Sequence, residues 1–213
     1  MKKLKLDSTL KFIVSELRLK YHCHTAILYG SRARGDATKS SDYDVLGVTQ
    51  KGRKFRIAKK KNNRYLDVFI YPEKDLKRLG DRHLYMREGV VLFEKNKYGA
   101  RLLKRLEKVV KRDPRPLARD EIEVKKVWAK KMLERASRKD VEGNYRRVWL
   151  QYALLEDYFL IRRQRYFGPK VALKWLSQYD AVTFELFDQV LRNPSSIGVL
   201  KKLVLRAYDD RKS

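Results

Sequence analysis

Two aspartates flank one tyrosine in the segment LYGSRARGDATKSSDYDVLGV, residues 28–48, where the chain turns apolar again. Successive strand residues point to opposite faces, so Asp42 and Asp44 are expected on one side of a strand, roughly 6.5–7 Å apart. Carboxylates that close repel each other and push one pKa upward. A hard divalent cation, Mg2+ or Mn2+, removes that cost and brings phosphate oxygens with it. Asp67 stands alone in the otherwise apolar run YLDVFIY, and a buried carboxylate needs a partner. If its strand neighbours that of Asp44, three carboxylates converge, as two-metal phosphoryl transfer requires.

The upstream segment offers what phosphates need. The apolar run Ala26–Tyr29 ends at Gly30–Ser31, a strand leading into an expected helix start. Gly30 lets the backbone approach a ligand, Ser31 adds a hydroxyl, and a helix N-terminus presents free N–H groups to an anion. Arg32, Arg34 and Lys39 are within reach of a polyphosphate. The stretch is no Walker A loop, because no lysine follows Gly35.

Gly30-Ser31, ten intervening residues, Asp42-Tyr43-Asp44 and a later Asp67 together resemble the DNA polymerase beta-type nucleotidyltransferase superfamily. A short catalytic domain followed by helices is similar to its kanamycin-type and minimal members. The resemblance implies that Gly30 and Ser31 bind the triphosphate of an NTP, ATP foremost. It implies that Asp42 and Asp44 hold the metal ions, and that Asp67 completes the metal site or acts as a base. Kanamycin-type enzymes carry a base carboxylate on a helix of the second domain, a place that Glu156 or Asp157 would take. Taken singly, the aspartates have plainer explanations: Asp42 capping a turn, Asp44 paired with an arginine, Asp67 on an edge strand. Their joint occurrence with Gly30-Ser31 favours chemistry. The tripeptide Arg34-Gly35-Asp36 is read as chance.

Positioning these groups requires a small sheet. Ser8 is expected to cap a helix running to about Tyr21, with Leu10, Phe12, Ile13, Leu17 and Leu19 as its apolar stripe. Strand character follows at 25–29, 42–49, 53–59 and 64–71, and a further short strand is expected within 89–94. Asn62–Asn63 suits a tight hairpin turn, because Asn tolerates positive φ. From Lys97 the pattern is helical: a first run marked by Leu102, Leu103, Leu106, Val109 and Val110, then runs at about 119–138, 141–166, 169–178, 180–192 and 195–209. Breaks fall at Gly168–Pro169 and at Asn193–Pro194–Ser195. The expected architecture is α+β, a small mixed-sheet domain over 1–96 and an all-helical bundle over 97–213. The DPRP stretch within 112–118 is the best linker.

The chain has 213 residues, 52 Lys and Arg against 26 Asp and Glu, and a formal charge of +26 spread over both halves. Such a field favours polyanions: nucleic acid, nucleotides or an acidic membrane surface. Cys23 is the single cysteine, which excludes a disulfide framework and a thiolate metal cluster. No stretch nears the roughly 18 apolar residues of a membrane span. The basic start MKKLKLDSTLKFIVSELRLK has helical periodicity and no continuous apolar core, so a cytoplasmic location is expected.

Residues 51–64, KGRKFRIAKKKNNR, hold eight basic side chains and no acidic one. They are placed either along a phosphate backbone, with Phe55 and Tyr65 interleaved for stacking, or on a solvated hairpin whose lysines discourage edge pairing. His22 and His24 are expected at the surface, too few for a zinc site. Arg78 and His83 have the spacing of the HEPN ribonuclease motif but lie outside the helical half. Tyr145, Trp149, Tyr152 and Phe159 are expected to be mostly core, with Glu156 on the face of the first three.

The expected activity is metal-dependent transfer of a nucleoside monophosphate from an NTP to an acceptor hydroxyl, releasing pyrophosphate. The acceptor stays open among small molecule, protein and RNA; charge favours RNA or another anion and disfavours a polycationic drug. The alternative is a non-catalytic nucleic-acid-binding or toxin–antitoxin-type partner protein with a vestigial metal site.

Overall fold

The computed structural model describes residues 6–138, 140–193 and 195–209; Pro194, one of the expected breaks, and the first five residues of the basic start lie outside them. The chain divides into two compact units, Met1–Arg112 and Asp113–Ser213.

In the first unit, helix α1 (Ser8–Leu19) is capped by Asp7 and not by Ser8: its carboxylate accepts from Leu10 N at 2.8 Å. The other Asp7 oxygen accepts from the Tyr43 hydroxyl at 2.6 Å, tying the helix to the sheet. Strands β1 (Thr25–Tyr29), β2 (Tyr43–Thr49), β3 (Phe55–Lys61), β4 (Arg64–Pro72) and β5 (Val90–Phe93) form one sheet in the order β3-β4-β2-β1-β5. Only β2 and β4 run parallel; the other pairs are antiparallel. The arrangement is α+β. Asn62 and Asn63 both adopt positive φ, 48° and 57°, as a tight two-residue hairpin demands.

The apolar residues of α1 pack with Leu28, Tyr43, Val45, Leu66, Val68 and Ile70 on one sheet face. Helix α3 (Tyr98–Val110) and a 3-10 segment at Asp81–Met86 lie against the β1 side of the sheet and bury Leu84, Met86, Leu102 and Leu106. Because α3 packs there, the first unit runs to residue 112, beyond the expected boundary at 96. The intervening helix α2 (Gly30–Arg34) has five residues and ends at Gly35 in the left-handed region.

The second unit contains α4 (Arg119–Ala136), α5 (Val141–Ile161), α6 (Pro169–Tyr179), α7 (Ala181–Arg192) and α8 (Ile197–Ala207). Their core includes Met132, Leu150, Leu154, Tyr158, Phe187 and Leu203. Asp180 accepts from Tyr158 OH at 2.6 Å, Thr183 Oγ1 at 2.7 Å and Arg206 Nη2 at 3.0 Å, joining three helices at one carboxylate. Among the described residues, no helix is long and apolar enough to cross a membrane.

Candidate active site

The carboxylate cluster follows from strand register. Tyr29 pairs with Asp44 across β1 and β2, and Asp44 pairs with Asp67 across β2 and β4. Residues paired in register share a face, so Asp44 and Asp67 stand side by side. Asp42 precedes β2 by one residue and is exposed. Tyr43 points to the other face, 4% exposed, in the α1 core.

Gly30 closes the cluster from below. Its φ is +70°, and a Cβ placed on it would stand 2.3 Å from Asp44 Oδ2. No other residue could occupy that position without displacing the carboxylate. The chain turns into α2 at this point, so Ser31 and the backbone N–H groups lie beside Asp44. With a single turn, α2 adds little aligned dipole, and the expected anion grip at a helix N-terminus reduces to individual N–H groups and the Ser31 hydroxyl.

The carboxyl of Asp44 is pushed up to about 6, first by burial and then by Asp67 and Asp42; Arg34 and Arg32 offset part of this. It is half-buried and, among the described residues, accepts no hydrogen bond. An oxygen-only donor set, one member half-buried and unneutralised, suits a hard divalent cation. Asp42 and Asp44 therefore fit a metal of the Mg2+ class. Asp67 is engaged otherwise: Arg56 donates Nε to Oδ1 at 2.6 Å and Nη2 to Oδ2 at 2.8 Å. Among the described residues, no three His, Cys, Asp or Glu side chains form a ready metal cage.

Arg32, Arg34 and Lys39 divide. The Arg32 guanidinium donates to the Ser41 and Asp42 carbonyls at 2.7 and 3.0 Å and lies 3.8 Å from the centre of the Tyr43 ring. It fixes the loop that carries Asp42 and is not free to follow a phosphate. Arg34 is 3.4 Å from Asp36 and 3.7 Å from Glu88. Lys39 is exposed.

Arg56 is the site residue that motif reading missed. The hairpin turn at 62–63 contained the signal: counting back from it sets Ala58 opposite Asp67 and Arg56 on the diagonal. Tyr29 and Tyr85 also surround the carboxylates, ring centres 5.0 Å apart, and burial raises both phenol pKa values.

Other expectations fall differently. Glu156 is exposed on α5 of the second unit, whereas neighbouring Asp157 is structural: buried, accepting from Lys125 Nζ at 2.6 Å and Tyr208 OH at 2.5 Å. Tyr145, Trp149 and Tyr152, expected as core, are exposed, and only Phe159 is buried. His24 is not a surface residue; it is half-buried, with Nδ1 2.9 Å from Thr25 Oγ1 and Nε2 3.1 Å from Glu73. His83 is buried and its Nδ1 accepts from Gly80 N at 3.1 Å. Phe55 and Tyr65 do not interleave: Phe55 pairs with Ile70 on the α1 face and packs on Tyr21, while Tyr65 lies on the carboxylate face.

No curated protein sequence matches the chain. Among solved structures, the crystal structure of a nucleotidyltransferase-like protein from Exiguobacterium sibiricum is 16% identical, and the alignment covers 94% of this chain and 76% of that one. Its TM-score of 0.42 makes the likeness too loose to add to what sequence supplies. The nucleotidyltransferase domain model matches residues 10–141, a span that takes in most of α1, all five strands and every carboxylate of the cluster. Since that span is more than half of the chain, the protein belongs to the nucleotidyltransferase domain family.

Proposed function

We infer that the protein is a divalent-metal-dependent enzyme that transfers a nucleoside monophosphate from an NTP, ATP foremost, to an acceptor hydroxyl. The observation that carries this reading is the half-buried Asp44 carboxylate, seated over Gly30, without a hydrogen-bond donor among the described residues and flanked in register by Asp67.

In this reading Asp42 and Asp44 would hold the metal, and Asp67 would complete the set if freed from Arg56. When bound, the metal neutralises triphosphate charge and lowers the pKa of the attacking hydroxyl. The Ser31 hydroxyl and the N–H groups beside Gly30 bind the β- and γ-phosphates, and Arg34 and Lys39 extend toward them. The acceptor oxygen attacks the α-phosphorus, the bond to the bridging oxygen of the β-phosphate breaks, and pyrophosphate leaves. Asp67, beside the attacking oxygen, takes its proton. Arg32 keeps the 41–42 backbone fixed, so Asp42 is presented without its own carboxylate being spent on a cap.

The test is incubation with each NTP labelled at the α-phosphate, together with pooled RNA, protein and small-molecule acceptors, with and without Mg2+. Label should move to one acceptor class only with metal, and Asp42→Asn should stop it while keeping the melting temperature. Transfer by Asp42→Asn at the wild-type rate would sink the mechanism.

A further inference from the structure

The sheet face that carries Asp44 and Asp67 is covered over β1 by α3 and the 81–86 segment. Tyr85 of that segment also packs on Phe69 and donates to the Tyr71 hydroxyl at the far end of β4, while β3 and the Tyr65 end of β4 stay accessible. Cations and aromatic rings pair across the hairpin. Lys60 stands opposite Tyr65, its Nζ 5.5 Å from the ring centre, and Arg56 stands opposite Phe69 at 5.2 Å. Lys54, just before β3, lies 4.6 Å over Tyr71. Between the first two pairs the small Ala58 faces Asp67, whose carboxylate is held from the diagonal by Arg56.

Strand alternation sorts the basic residues of this hairpin into two sets. Lys59 and Lys61 point to the α1 face, where Lys59 pairs with Glu16 and Lys61 covers the Phe12 ring. Lys54 and Lys60 point with Asp67, are exposed, and have no carboxylate partner among the described residues. Tyr65 is 58% exposed, an uncovered ring flanked by an unneutralised cation. From exposed Tyr65 to Tyr71 the row is about 20 Å long at the usual strand rise. At its inner end Phe69 is half-buried and Tyr71 buried, with the exposed Lys54 ammonium over the Tyr71 ring. Positive charge with an exposed aromatic platform suits a polyanion that has free ring faces. A single-stranded nucleic acid has both; a duplex hides its base faces, and a small polycation is repelled.

We propose that this open face is the docking track of a single-stranded nucleic acid, which is the acceptor. A base stacks on Tyr65, phosphates lie against Lys60 and Lys54, and a terminal sugar hydroxyl reaches Asp67. The acceptor role rests on the nucleotidyl-transfer reading; the docking rests on the face alone.

The test is fluorescence anisotropy with labelled oligouridylate and oligothymidylate of about 12 nucleotides, long enough to fill such a site, in EDTA and without NTP. Wild-type protein should bind at least one of them, more tightly than a duplex of equal length. Tyr65→Ala should weaken binding about tenfold, within the range of a lost base–ring stack, while Tyr65→Phe keeps it. Lys60→Gln should reduce the slope of log K against log salt by about 0.7. Absence of binding overturns the track, and so does wild-type affinity in Tyr65→Ala, which would assign binding to the diffuse field of the surface. Because binding is read without metal or nucleotide, its loss counts against the track whatever the transfer assay gives. Absence of transfer with Tyr65-dependent binding intact instead overturns the nucleotidyl-transfer reading and leaves the docking face standing.

Discussion

Gly30 and Asp44 occupy one site from two sides: the left-handed turn at Gly30, φ +70°, brings the backbone so close that a Cβ there would meet Asp44 Oδ2 at 2.3 Å. The glycine serves two purposes, the turn from β1 into α2 and the seat of the carboxylate. What yields to a larger residue is the tip of the Asp44 side chain, so damage should fall on chemistry more than on folding.

Gly30→Ala is therefore expected to cost about 1–2 kcal/mol of stability from the left-handed backbone and at least a hundredfold in transfer rate. Thermal unfolding and label transfer measured on the same preparation separate the two effects. A variant that unfolds earlier yet transfers at an undiminished rate per folded molecule would show that Asp44 need not sit there.

Asp44 links the site to pH. Its folded carboxyl lies near 6, above the ordinary value of about 3.9, so the folded state holds the proton more tightly than the unfolded one. Stability tied to this group is present below about pH 4 and is lost as pH rises through 6. In EDTA at pH 8, Asp44→Asn should be more stable than wild type by about 1 kcal/mol after solvent screening, the difference closing toward pH 4. Millimolar Mg2+ should raise the melting temperature of wild type and leave Asp44→Asn unchanged. Equal responses to Mg2+ would remove Asp44 from the metal site.

Asp180 behaves in the opposite sense. Burial pushes its carboxyl up, but hydrogen bonds from Tyr158, Thr183 and Arg206 outweigh burial and hold it down to about 2. A depressed pKa gives stability that is complete above about pH 4 and lost as pH falls toward 2. Asp180→Asn should destabilise the protein by about 2–4 kcal/mol at pH 7, the usual loss when a hydrogen-bonded charge network is broken, and by much less near pH 2.5. Urea unfolding at the two pH values checks this, and a pH-independent difference would mean that the amide fails through packing.

Strand alternation made Asp44, Asp67 and the hairpin at Asn62–Asn63 legible, because period-2 patterning and positive-φ asparagines are local signals. The Asp7 cap was missed because Ser8 is equally competent locally, and the deciding contact, the Tyr43 hydroxyl on Asp7, crosses 36 residues. Tyr145, Trp149 and Tyr152 misled for a related reason. Aromatic content suggests burial, but the stripe that packs is Leu150, Leu154 and Tyr158, one face around the helix. The boundary moved from 96 to 112 because helical periodicity tells where α3 is and not which sheet it packs on. Arg56 hid inside a run of eight basic residues, where only the register singles it out.

Arg56 sets a competition at Asp67. Its two hydrogen bonds hold both carboxylate oxygens, while the guanidinium remains more than half exposed and lies 5.2 Å over Phe69. An exposed ion pair contributes little to folding, about 0–1 kcal/mol, so removing it should hardly change the melting temperature. It does occupy oxygens that a metal needs. In Arg56→Ala both Asp67 oxygens are released, and Mn2+ binding without nucleotide, read by paramagnetic resonance or calorimetry, should tighten several-fold. Asp67→Asn should abolish that gain when combined with Arg56→Ala. If Arg56→Ala binds Mn2+ no better than wild type, then Asp67 does not ligate metal, and its place in the mechanism reduces to taking the acceptor's proton.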